Sequence, residues 1–506
     1  MLKKLTFFSF LLLFIVFSSK VNADEIQYQN QIDNSTFHDY KLIVTSSGTL
    51  QIENLLPNNS DVYWYLINLE TGEEYISGEV LPVGTYRFVV GSIGESLTDY
   101  HYKISGIGIS SESKVSLPQL SLTSPSSFYT RLANGITSIL VSGSSSTANT
   151  ILNHYKLEQM LGQNFSTNLS LLFGSNTFSV TSLDNNGNNV KKIREVVSPG
   201  VKRLEGANRS ETSVSVSMEL DKFGLYNDKI IILNSTAEVD GVPATVLSVK
   251  EKAPILLSEK DYLPDSVINE INRLNPSSAI IIGNQNAISD NVVNKLRDLG
   301  VENINRIYGS TRVETSIDIA EQIIENDNTT AIIVNGFATA DGVIGAAFGA
   351  KNRFPVLYIN SDNSLPTSVQ NFLALNPQIS SFVVIGSAAY DETLLNQLSN
   401  YGGVETVKGI DRYDTSVQMA SFQRFEDKSY IIANAEYSFI DGVIGSTLAG
   451  ARNYTLLFTR ASYLPSYVEN YLVEKYNKDG IDNIYIMGST MVVSPSVEDQ
   501  LKGLVN

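Results

Sequence analysis

Three arginines occupy the same place in three copies of one motif: Arg209 in RLEGANRSETS, Arg312 in RIYGSTRVETS and Arg412 in TVKGIDRYDTS. A guanidinium is planar, permanently charged and matched in its fork of N–H groups to a carboxylate or phosphate. One such group per copy, at one position, is a device for gripping a repeating polyanion. Arg203 and Arg306 open the motif in the first two copies and extend the candidate set, whereas the third copy has Thr406 there. A second reading is open at this point. Each copy also carries an Asp-Gly pair on a neighbouring loop (Asp240-Gly241, Asp341-Gly342, Asp441-Gly442). The arginines can equally serve as ion-pair partners of those carboxylates or of an adjacent copy.

Catalytic chemistry has little to work with. The sequence has no Cys and only three histidines, His38, His101 and His154, all outside the copies. A thiol nucleophile is excluded, and HExxH, G-x-S-x-G and G-x-x-x-x-G-K-[ST] do not occur. Asp184, Asn186 and Asn188 alternate as calcium ligands sometimes do, but the downstream bidentate glutamate is missing and Asn186-Gly187 reads as a hairpin turn. No catalytic residue, metal or cofactor is assigned. A carboxylate-pair hydrolase leaves no short motif, so such a site in the N-terminal region is the alternative.

The elements that position the arginines follow from the repeat. Gly206, Gly309 and Gly409 recur at intervals of roughly 100 residues, too long for a solenoid unit and right for a small domain. Each motif is followed by an apolar strand (KIIILN, AIIVNG, YIIANA), the Asp-Gly pair and a second apolar run. A Leu-Pro helix start and a last strand ending at Gly283, Gly386 or Gly488 complete the copy. In the second copy the strand NRIYG leads into the helix STRVETSIDIAEQIIEN, and strands and helices alternate thereafter. Continuous apolar strands separated by helices predict a parallel sheet with right-handed crossovers and both faces covered. The carboxyl ends of such strands form the natural ligand crevice. The turn from Gly309 to Arg312 sits there, at a helix N-terminus whose free N–H groups favour an anion.

Taken together, G-x-x-R-x-[ED]-T-S, the Asp-Gly pair, the P-[IV]-L-[LY] strand and the terminal I-x-G resemble the cell-wall-binding repeat 2 family over about 198–506. The resemblance implies three modules, 198–300, 301–402 and 403–506, in a pseudo-threefold arrangement. It further implies noncovalent anchoring to a Gram-positive cell wall through an anionic secondary polymer, a teichoic-acid-like polysaccharide such as polysaccharide II, with surface-layer proteins as further partners. The family's anchoring Ile-Leu-Leu stretch matches Ile255, Leu256 and Leu257. Val356, Leu357 and Tyr358, and then Leu456, Leu457 and Phe458, stand at the equivalent places, and buried strand core is the plainer reading of all nine. The third copy departs at Thr406 and at Thr455, which replaces Pro254 and Pro355.

Ahead of the repeats, Lys3 and Lys4 precede an apolar run from Leu5 to Phe17, and Val21-Asn22-Ala23 supplies small residues before Asp24. Residues 1–23 therefore read as a secretory signal, too short to span a bilayer core that needs about 20 apolar residues. Export to the cell wall or surface layer is expected, with no membrane segment after cleavage. Two β-rich segments follow. The first, 24–113, alternates polar and apolar residues, and its LPVGTYRFVV resembles the pre-peptidase C-terminal jelly roll. The second, 114–197, ends in a hairpin around Asn186-Gly187 and resembles a bacterial immunoglobulin-like module. The expected fold class is thus multidomain, all-β and then three α/β parallel-sheet modules. A formal charge of −17 argues against nucleic acid, which relies on clustered cations, while leaving local arginines free to hold an anion.

Overall fold

The computed structural model describes residues 23–56, 61–94, 96–325, 330–423 and 428–505. The expected signal segment lies outside the described residues apart from Ala23. The chain forms two compact units, one reaching Leu132 and including Ile136–Leu171 and Ser175–Val197, the other comprising the repeats from Ser198 onward with two short inserts.

The first unit is all-β. Alternation places Tyr40, Leu50, Leu66, Tyr86 and Phe88 at 0% exposure, and Trp64 packs on this core with its ring centroid 5.9 Å from that of Phe88. The two β segments also share a sheet. Asn189–Lys192 of the second pairs antiparallel with Thr36–Asp39 of the first. Asn188 seals the joint, accepting the N–H of Lys41 at 2.8 Å and donating to the carbonyls of Lys114 and Ser116 at 3.0 Å. Asp184 accepts the N–H groups of Asn186 and Asn188 at 2.8 and 2.9 Å. The oxygens considered as calcium ligands thus organise a turn.

The second unit holds three four-stranded parallel sheets. The first runs Ile255–Ser258, Lys229–Asn234, Ser278–Ile282 and Asn303–Ile307, all pairs parallel. The second is built identically from Val356–Ile359, Thr330–Asn335, Ser381–Ile385 and Gly403–Val407. The third uses Thr455–Thr459, Ser429–Asn434 and Asn483–Met487, and is completed by Gly200–Leu204 from the front of the repeats. The strand that opens each copy in sequence therefore closes the sheet of the copy before it, and the first strand closes the last sheet. The NRIYG strand, read above as the start of the second copy, is the edge of the first copy's sheet. A tandem repeat has no intrinsic phase, so only the reach of the chain to an open sheet edge decides the pairing.

Three helices, Glu238–Glu251, Thr339–Asn352 and Ile440–Arg452, pack against one another at the centre. The glycine of each Asp-Gly pair permits this approach. A Cβ on Gly241, Gly342 or Gly442 would press on Val443, Val242 or Val343 of the neighbouring helix. Small residues let helix axes close up, and added methyls there cost about 1–3 kcal/mol in off-rotamer strain. Among the described residues no helix is long and apolar enough to cross a membrane.

Candidate functional site

Each repeated motif first builds a sharp strand-to-helix turn. A Cβ on Gly206, Gly309 or Gly409 would overlap the backbone of the helix that follows, so only glycine lets the chain double back. Asn208, Thr311 and Asp411 cap those helices, accepting the N–H of Glu211, Glu314 and Asp414 at 3.0, 3.2 and 2.9 Å. These three carboxylates in turn accept the N–H of Ala207, Ser310 and Ile410 at 2.8, 2.9 and 2.9 Å, a variant of the capping box. The motif serine reaches further. Ser213, Ser316 and Ser416 accept the N–H of Leu257, Tyr358 and Phe458 at 3.2, 3.1 and 3.2 Å. Motif and apolar strand form one hydrogen-bonded piece.

That strand is sealed. Ile255, Leu256 and Leu257, Val356, Leu357 and Tyr358, and Leu456, Leu457 and Phe458 are all 4% exposed or less, so they shape the core beneath the loops.

The arginine follows directly on the cap. Arg209, Arg312 and Arg412 each donate Nη1 to a carbonyl of their own module's first core loop, Ser235, Gly336 and Ala435, at 2.8, 2.7 and 2.8 Å. Across a crevice stands the aspartate of the preceding module. Asp441 faces Arg209, Asp240 faces Arg312 and Asp341 faces Arg412. Three crevices result, of about 740 Å³ between the third and first modules, 420 Å³ between the first and second, and 490 Å³ between the second and third. Burial pushes all three carboxyls above the ordinary aspartate range and the facing arginine offsets it in part. Asp441, with Glu238 also nearby, rises to about 6. The terminal glycines share this place: Gly386 and Gly488 take left-handed φ angles of +71° and +86°, and a side chain on either would collide with Asp341 or Asp441.

Arg203 and Arg306 lie elsewhere. On the borrowed edge strands they donate to the carbonyls of Gly488 and Gly283 at 2.8 and 2.7 Å. Arg203 is further held by Glu498, with Nη2 and Nε at 2.7 and 3.1 Å from Oε2. Among the described residues no carboxylate pairs with Arg306, and its Nη2 is buried without a partner.

Exposed rings around the crevices were not singled out from sequence: Tyr262, Tyr308, Phe337 and Tyr437 are 61%, 51%, 61% and 75% exposed. Their signal is an aromatic in a strand-end loop, outside any apolar periodicity. Among the described residues no group of His, Asp and Glu is arranged to hold a metal ion.

Comparison with known proteins bears on this geometry. The Cell wall binding domain 2 (CWB2) family matches residues 203–293, 306–391 and 406–498, together more than half of the chain. The chain is 29% identical over 308 residues to N-acetylmuramoyl-L-alanine amidase LytC of Bacillus subtilis, a match covering 60% of this chain and 58% of that protein. It is 28% identical over 305 residues to the amidase enhancer of the same organism, covering 59% of this chain and 40% of the relative. The chain thus spans little more than half, or less, of these relatives' length. Among solved structures, Cwp8 from Clostridium difficile superposes with a TM-score of 0.55 at 18% identity, covering 96% of this chain and 89% of that one. Cwp6 from the same organism gives 0.58 at 22% identity, covering 77% and 68%. At these identities the likeness is one of fold.

Proposed function

Because this chain belongs to the cell wall binding domain 2 family, we propose that its three modules anchor the protein noncovalently to a Gram-positive cell wall by gripping an anionic wall polysaccharide. The observation that carries this reading is the threefold recurrence of one crevice, each with an arginine fixed by a loop carbonyl and opposed by a buried carboxylate from the neighbouring module. Arg209, Arg312 and Arg412 are the gripping residues. A helix N-terminus beside each adds oriented N–H groups. Arg203 and Arg306 contribute by fixing the edge strands that carry the loops. The same crevice repeated around a ring suits a polymer, which engages several weak sites on one chain and gains through effective concentration.

In this reading the protein is exported by its N-terminal signal, and the all-β unit is displayed at the wall or surface layer, as a structural or binding module beside surface-layer proteins. It acts by binding, not by catalysis. The test is sedimentation of the full mature chain with Gram-positive walls before and after the anionic polymer is stripped. Pelleting with intact walls only, lost in the triple variant Arg209→Ala, Arg312→Ala, Arg412→Ala, is the expected result. Equal pelleting with stripped walls overturns it. Release of soluble wall fragments by the chain would favour the hydrolase alternative.

A further inference from the structure

The three crevices are not equal. Arg312, in the crevice between the first and second modules, has its guanidinium 4.1 Å from the centre of the Phe337 ring, which lines the next crevice. In the crevice between the second and third, Arg412 lies 5.6 Å from Phe439, and Tyr390 is covered by Lys408 Nζ at 4.5 Å while its hydroxyl donates to the Gly409 carbonyl at 3.2 Å. Cations thus cover Phe337 and Tyr390, while Tyr308, 51% exposed, lines the crevice between the first and second modules. The crevice between the third and first modules differs in its size and in its rings. It is the largest of the three at about 740 Å³. Its walls include Tyr262 and Tyr437, 61% and 75% exposed. Its cation, Arg209, is exposed, as is Arg412 in the crevice between the second and third modules, and the polar lining around Arg209 includes Ser235, Thr236 and Glu259.

Open aromatic faces and an unshielded guanidinium in one cavity are complementary to a sugar ring bearing an anion. The C–H face of a pyranose packs on an aromatic ring, while a carboxylate or phosphate on the same residue takes the arginine fork. Resting on the anchoring reading above, we propose that the crevice between the third and first modules is the principal ligand site. There Tyr262 and Tyr437 stack a sugar ring of the wall polymer and Arg209 binds its anionic substituent. The two smaller crevices, where cations cover Phe337 and Tyr390, supply mainly charge. Tyr262 and Tyr437 are then specificity residues, selecting an anionic glycan over a bare polyanion.

Isothermal titration of the full mature chain with two probes tests this: purified anionic wall polysaccharide, and inorganic polyphosphate, which has charge but no ring. Tyr262→Ala and Tyr437→Ala should each weaken polysaccharide binding about five- to tenfold and leave polyphosphate binding unchanged. Arg209→Ala should weaken both, and by more than Arg312→Ala or Arg412→Ala. Tyrosine variants that bind the polysaccharide like the parent, that lose both probes together, or arginine variants of equal effect overturn the proposal. A parent chain that binds neither probe overturns the anchoring reading itself.

Discussion

The hydroxyl of Tyr358, in the second module, donates to the carbonyl of Val239, in the first, at 2.6 Å. That carbonyl is open because Pro243, one turn on in the same helix, has no N–H to give it. A helix interrupted in one module is thus completed by a side chain of the next. Removing the hydroxyl takes this bond from a half-buried carbonyl, a cost of about 0.5–1.5 kcal/mol. Tyr358→Phe should therefore lower the melting temperature of the repeat unit, read by calorimetry, and Pro243→Ala in the same background should recover part of the loss by restoring an N–H donor. A Tyr358→Phe chain as stable as the parent refutes the clasp.

Arg203 and Glu498 join the first strand of the repeats to the last helix. Their side chains are 8% and 22% exposed, so removing one partner strands a charge at a cost of about 3–5 kcal/mol. Glu498→Gln should destabilise the third sheet first. Hydrogen exchange at Asn483–Met487, which pairs with Gly200–Leu204, should then accelerate ahead of the other two sheets. Uniform acceleration would mean that the closure is not local.

The second module junction offers the converse experiment. Arg306 stands where Arg203 does, but its Nη2 is buried without a partner, and the place of Glu498 is held by Val293, 9% exposed. Val293→Glu should supply the missing acceptor and raise the unfolding temperature, whereas Val293→Gln, lacking charge, should gain less. A net loss of stability in Val293→Glu would show that desolvation of the new carboxylate outweighs the pairing.

Asp441 gives a pH dependence with a definite sign. Its carboxyl titrates near 6 in the folded chain against an ordinary value of 3.8, because burial disfavours the charged form more than Arg209 restores it. Below about pH 4 both folded and unfolded states hold the proton, so no penalty applies. Between about 4 and 6 the unfolded state releases it first, and stability falls as pH rises; above 6 the penalty is constant. Asp240 and Asp341 act in the same direction. Asp441→Asn should be more stable than the parent at pH 7, by on the order of 1–2 kcal/mol, and should flatten that slope in denaturant titrations across pH 4 to 6. A parent and an Asp441→Asn chain whose stabilities change alike over that window would contradict the assignment.

The same proton bears on binding. The groups facing Asp441 are Arg209 from the first module's outer helix and Glu238 from its central helix. Neutral Asp441 leaves Arg209 uncompensated, so polymer binding should strengthen as pH falls through 6, and Asp441→Asn should bind at pH 7 as the parent does at pH 5.

What the sequence determined by itself was the repeat and its chemistry. Gly206, Gly309 and Gly409 in register, apolar runs such as KIIILN and the cap residues Asn208, Thr311 and Asp411 are local signals. Turn sterics, strand burial and helix capping act within a few residues, so the module, its alternation of strand and helix and the position of its arginine were legible. The tertiary structure decided everything that crosses a module boundary. Which aspartate faces which arginine, which sheet receives NRIYG, and why Arg203 is sealed while Arg209 is open depend on contacts between residues from 25 to 295 positions apart. A repeat read from sequence looks alike in each copy and carries no phase. Only the closing of the ring, with Gly200–Leu204 on Asn483–Met487, fixes that phase and brings Tyr262, Tyr437 and Arg209 into one cavity.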